Sequence, residues 1–205
     1  MSYPGQDYGQ PARQRSPWWT AALWSGGFVA LLFAIEAVDT VLGNQLDYQG
    51  VKPRDQDGLV GILFAPLLHG GWGHLLANAG PLLVLGFLIL LSGVLRWAMV
   101  TMVVWVVGGV GIWVTGAPNS VHIGASILVF GWLVYLILRG IFSRRLGQIA
   151  VGLVVLVLYG GALWGVLPGQ AGVSWEGHLF GAIGGGLAAW WLAPEPHRRR
   201  TSSAR

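Results

Sequence analysis

An all-α membrane protein, a bundle of six transmembrane helices, is the fold class this sequence predicts. Three observations carry the prediction. Of 205 residues, 54% are apolar and only 10% are charged, with a mean hydropathy of +0.62, whereas soluble domains carry about 25% charged residues. The apolar residues fall into six runs of roughly 20, the length that crosses a hydrocarbon core as a helix. The ~10-residue alternating segments of a membrane barrel are absent, so helices are the remaining way to satisfy the backbone in lipid. The 33 glycines and 12 tryptophans suit close helix packing and interfacial anchoring. With no cysteine in the chain, a disulfide framework, a thiolate metal site and a cysteine nucleophile are all excluded.

In chain order, residues 1–17 are polar and are expected to form a disordered cytoplasmic tail. Residues 18–193 form the membrane domain, with spans at about 18–42, 72–92, 96–115, 121–139, 148–166 and 175–193. The connectors are short apart from a polar loop at 43–70. Residues 194–205 form a second cytoplasmic tail, made basic by Arg198, Arg199 and Arg200. With six spans both tails lie on one side. Placing them in the cytoplasm puts ten arginines inside and only Lys52 and Arg54 outside, a strong positive-inside asymmetry. The basic residues are thus divided among tails and loop ends, which excludes a nucleic-acid surface. The partner they imply is the lipid bilayer, in a multi-pass protein of a bacterial cell membrane.

Few polar side chains remain within the spans, where such residues are functional candidates by default. The second span carries His74 and Asn78, four apart and so on one helical face. The fourth carries Ser126 and the sixth His178. All three spans run from outside to inside, which sets the four residues at one depth, a turn or two below the outer surface. A serine hydroxyl needs a base to become a nucleophile, and histidine is the usual one. Asn and His N–H groups, with free backbone N–H groups at a helix start, suit an oxyanion. On the sixth span His178, Gly181 and Gly185 share a face, and the Gly-x-x-x-Gly spacing permits close approach of a neighbour. If that neighbour is the fourth span, Ser126 comes within reach of His178. Glu176, two residues from His178, points elsewhere, so the expectation is a Ser–His dyad. His69 and His122 are read as wet boundary histidines, and Glu36 and Asp39 as reaching the interface. A zinc site built from His74, His122 and His178 is set aside, since there is no H-E-x-x-H and no nearby carboxylate ligand.

At these residues the chain resembles the rhomboid family of intramembrane serine proteases, over roughly residues 60–190. His69-Gly-Gly-Trp-Gly-His74-Leu-Leu-Ala-Asn78 is similar to the family's H-x4-H-x3-N. Gly124-Ala125-Ser126-Ile127, followed by Phe130-Gly131, is similar to its G-x-S-G with a downstream aromatic. His178-Leu-Phe-Gly181-Ala-Ile-Gly-Gly185 is similar to its H-x-x-G-x-x-x-G. The resemblance implies a rhomboid-like bundle with Ser126 as nucleophile, His178 as base, and His74 and Asn78 stabilising the oxyanion. It implies that Gly124 permits tight packing at the serine turn and that Phe130 packs on the His178 ring. It further implies membrane-protein substrates, single-pass or other, cut in or near their membrane segments without a cofactor, and a partly embedded first loop.

Two features depart from the family pattern. Ile127 replaces the glycine after the serine, and its branched side chain is expected to crowd the pocket beside Ser126. The family's Trp-Arg pair in the first loop is replaced by Gly58-Leu-Val-Gly-Ile-Leu-Phe-Ala-Pro66. The rival readings are a rhomboid-like pseudoprotease that binds membrane clients without cutting them, which Ile127 supports, and a small transporter. The transporter would require polar sites near the midplane and symmetric broken helices, neither of which is evident. Substrate identity and oligomeric state are not written in the sequence.

Overall fold

The computed structural model of the chain describes residues 16–170 and 172–193; the expected tails at 1–15 and 194–205 lie outside these. Ser16 accepts a hydrogen bond from the Trp19 amide, and Pro17 takes the first helical position, so α1 (Pro17–Val41) starts with both common N-terminal signals. A short helix, α2 (Gln56–Phe64), follows in the first loop, capped by the Asp55 carboxylate. The remaining helices are α3 (Trp72–Leu90), α4 (Val94–Thr115), α5 (Ser126–Ser143), α6 (Leu146–Tyr159) and α7 (Trp175–Trp191). A 3₁₀ turn over Gly160–Val166 extends α6. Among the described residues, five helical segments are long and apolar enough to cross a membrane: α1, α3, α4, α5, and α6 with its 3₁₀ extension. The sixth expected span is α7, an apolar helix of 17 residues.

The expected boundaries differ most at the fourth span, read as 121–139 and observed as Ser126–Ser143. Residues 121–125, apolar apart from His122, are not helical. His122 pairs with Val51 in an isolated antiparallel bridge, with both N–H···O bonds at 2.9 Å. Gly124 has φ +121°, which only glycine adopts readily. The consequence is that Ser126 stands at the first position of its helix rather than inside it.

The spatial order is set by small residues. α7 lies against both α4 and α5. A Cβ on Gly181 would strike the Ile127 carbonyl, and one on Gly185 would strike the Gly131 carbonyl, so α5 and α7 touch backbone to backbone. α5 is the central helix, whereas α6 is the least buried span. α1 packs on α3, and α2 packs on α4. The first loop is thus a folded element. Trp105 Nε1–H donates to the Ile62 carbonyl at 2.7 Å, and Arg54 donates to the Val114 and Gly116 carbonyls at 2.9 Å each. Glu36 and Asp39, expected at the interface, are instead each only 2% exposed. They turn inward near the end of α1, where Asp39 accepts from the Leu46 amide at 2.7 Å and holds the chain reversal.

Candidate active site

A cavity of about 670 Å³ opens at the end of the bundle where α3, α5 and α7 begin, and Ser126, His178, His74 and Asn78 all line it. Each owes its place to a helix start. Ser126 is the first residue of α5, and no acceptor among the described residues takes the Ser126 or Ile127 amide. Those N–H groups belong to the unpaired first turn that every α-helix leaves. His178 lies in the first turn of α7, and Phe130, one turn along α5 from Ser126, stacks on its ring at 4.0 Å and 9°. No hydrogen bond joins Ser126 to His178 among the described residues.

The partners of each imidazole fix its tautomer. A carbonyl can only accept, so His178 Nδ1–H donates to the Gly165 carbonyl (2.9 Å). The Nε2 lone pair is then free. His74 is the reverse: the Gly70 amide donates to its Nδ1 at 3.4 Å, which makes Nε2–H the outward donor. A Cβ on Gly124 would sit 2.8 Å from His74 Nε2 and 3.6 Å from Ser126 Oγ, so glycine is what allows these two groups to face each other. Asn78 is buried and donates from Nδ2 to the His74 carbonyl one turn back (3.1 Å).

Two histidines read as wet are buried. His69 is 1% exposed, and its Nε2 accepts from the Ala125 amide at 3.3 Å, immediately before the serine. Burial, reinforced by the neighbouring His74, pushes its pKa down to about 4, so it remains a neutral acceptor. His122 is 9% exposed and sits in a directional chain. Ser120 O–H donates to the Ala117 carbonyl (2.6 Å), leaving Ser120 Oγ to accept from His122 Nε2–H (2.8 Å). His122 Nδ1 then accepts from Ser174 O–H (2.7 Å), and Ser174 Oγ caps α7 by accepting from the Gly177 amide (3.3 Å). Burial lowers the His122 pKa, against a smaller opposing effect of Glu176. The loop before α5 is thereby tied to the helix that carries His178. The clue in the sequence was the serine beside each end of this chain, Ser120 and Ser174.

The expected crowding by Ile127 is overturned. Ile127 is 3% exposed and does not line the cavity; its side chain fills the gap between α4 and α7 left by Gly108 and Gly177. One helical position from Ser126 is about 100° of rotation, enough to turn it from the cavity to the interior. Ile127→Gly is therefore expected to lower stability by about 3 kcal/mol, through lost packing and helix propensity, with no broadening of substrate range. Thermal unfolding in detergent and a substrate panel check both parts.

The family model described as Rhomboid domain matches residues 56–195. The chain is 50% identical over 186 residues to an uncharacterised protein of Mycobacterium tuberculosis, covering 86% of this chain and 78% of that one. It is 46% identical over 200 residues to an uncharacterised protein of Mycobacterium leprae, covering 93% and 79%. It is 29% identical over 135 residues to the Bacillus subtilis protein named "Putative rhomboid protease YdcA", covering 65% and 67%. No solved structure matches at comparable stringency.

Proposed function

This chain belongs to the rhomboid family, and from that premise we propose that it is an intramembrane serine endopeptidase. It cuts other membrane proteins in or near their membrane segments with a Ser126–His178 dyad and no cofactor. The observation that carries the reading is that both residues open onto one cavity from the first turns of adjacent helices, while the Gly165 carbonyl holds His178 Nδ1–H. That leaves Nε2 as the base.

In the proposed reaction Ser126 Oγ attacks the scissile carbonyl carbon while its proton passes to His178 Nε2. The resulting oxyanion is met by His74 Nε2–H, Asn78 Nδ2–H and the Ser126 amide. Collapse of the intermediate breaks the C–N bond, and the imidazolium returns its proton to the leaving amine. Water, activated by the same imidazole, then hydrolyses the acyl-enzyme. Catalytic hydrogen bonds are often long in the free enzyme and tighten only with substrate, which fits the unbonded Ser126–His178 pair. The pseudoprotease reading drew on Ile127, and the buried position of that side chain withdraws this support. The deciding experiment is treatment of the purified protein with a fluorophosphonate. Labelling at Ser126 is expected; folded protein that never labels would favour the pseudoprotease.

His74→Ala and Asn78→Ala are expected to slow cleavage clearly but incompletely. Loss of one oxyanion donor costs roughly a hundred- to a thousandfold, and here several donors share the charge. Turnover unchanged in both single variants and in the double would remove them from the site.

We further propose that the cavity end faces outward and both termini the cytoplasm, on the ten-to-two division of basic residues. In the cysteine-free chain, Gln49→Cys should react with an impermeant thiol reagent in intact cells and Ser203→Cys should not. The opposite pattern reverses the orientation.

A further inference from the structure

At the end of the bundle opposite the candidate active site, a second cavity of about 250 Å³ lies between α4, α5, α6 and α7. Its wall is cationic. Arg96, Arg139 and Arg145 converge on it, with the hydroxyl-bearing Tyr135 and Ser143 beside them. Three arginines facing one small space repel one another, and a membrane helix bears such charge only where something compensates it. The six carboxylates of the described residues lie elsewhere. Glu36, Asp39, Asp47, Asp55, Asp57 and Glu176 all belong to the far end of α1, the first loop and the start of α7.

The local contacts leave donors unused. Arg96 Nη1 is partly engaged, donating to the Leu192 carbonyl at 3.0 Å and toward Tyr135 Oη at 3.5 Å. Arg139 lies 5.9 Å from the Tyr135 ring centroid. Its Nε and Nη1 are buried and find no hydrogen-bond partner among the described residues. Burying guanidinium N–H groups without a partner is costly, and the Nε–Nη edge of arginine is a fork that matches two oxygens of a phosphate. Ser143 donates to Gln148 Oε1 at 2.8 Å, which leaves the Gln148 amide N–H groups to donate. Arg145 precedes α6, whose first turn has no side-chain cap, so the positive end of that helix dipole adds to the same field.

We propose that this cavity is a binding site for a phosphate group, held by the converging guanidinium groups of Arg96, Arg139 and Arg145. The phosphate could come from an anionic lipid headgroup or from free phosphate in solution, and the ligand chemistry is the same for both. A headgroup fits the position at the end of a helix bundle, where basic pockets meet anionic lipid.

The test uses the purified full-length chain and two probes. The first is inorganic phosphate, titrated calorimetrically in neutral detergent at constant ionic strength. The second is phosphatidylglycerol, supplied in phosphatidylcholine bilayers and scored by native mass spectrometry for lipid retained on the protein. Saturable binding of either probe is expected; retention of phosphatidylglycerol alone assigns the source to lipid, and phosphate binding in detergent assigns it to solution. Arg139→Gln should weaken the affinity roughly ten- to a hundredfold, the usual weight of a charge-assisted hydrogen bond. Should that variant fail to fold, the exposed Arg145→Gln should weaken it severalfold. Ser126→Ala should bind as the wild type does, because it lies at the other end of the bundle. The proposal is overturned if neither probe binds saturably, or if both arginine variants bind unchanged.

Discussion

If the proposed dyad is right, Ser126→Ala and His178→Ala are each expected to reduce cleavage of a transmembrane substrate to background, a loss on the order of 10⁴-fold or more by analogy with serine hydrolases. The two variants separate in stability. Ser126 Oγ makes no hydrogen bond within the described residues, so its removal leaves the fold and Tm nearly unchanged. His178→Ala removes the ring stacked at 4.0 Å on Phe130 and strips the Gly165 carbonyl of its donor. Those losses are worth about 1 kcal/mol for the aromatic pair and about 1–3 kcal/mol for the stranded carbonyl, so a lower Tm with helical content retained is expected. Cleavage assays on reconstituted protein, with circular dichroism on the same samples, read both. Substantial proteolysis by pure Ser126→Ala would remove the serine from the mechanism.

Gly185→Val is expected to have the second largest effect, through geometry rather than chemistry. Its Cβ would fall on the Gly131 carbonyl, so α5 and α7 must separate by more than side-chain adjustment can supply. Ser126 and His178 ride on those two helices, and their separation should abolish cleavage along with native packing. The neighbouring Gly186 is the control. A Cβ there would meet only Leu138 Cδ1 at 3.7 Å and Val134 Cγ1 at 4.0 Å, so Gly186→Ala should be tolerated. Equal activity in Gly185→Val and the wild type would show that the backbone contact between these helices is dispensable.

Hydropathy made the helical bundle legible because each span is a predominantly apolar run of about the length that crosses a bilayer. The same signal failed at 121–125, where Val121, Ile123 and Ala125 are apolar but lie outside the helix. A bridge to Val51 and the positive φ of Gly124 decide the conformation there, and neither has a hydropathy signature. Ser126, His178, His74 and Asn78 stood out because a polar side chain in a span is conspicuous. The supporting histidines did not, since His69 and His122 lie at the outer boundary of the expected spans, where a polar residue draws no notice. Their burial comes from the first loop folding over the end of the bundle. Ile127 was misread because the sequence records its size but not its direction, which the α5 start at Ser126 determines.

The Gly165 carbonyl has one more consequence. In many serine hydrolases the group that steadies the histidine is a carboxylate, which can be deleted by mutation and can lose its charge in acid. In the proposed dyad the steadying group is a peptide oxygen, released by the 3₁₀ turn that finishes α6. It has no titratable proton and carries no formal charge to desolvate near lipid. No side-chain replacement can remove it. An alanine scan would find the side chains of the proposed site and miss this participant, encoded in the curl of the backbone at a glycine.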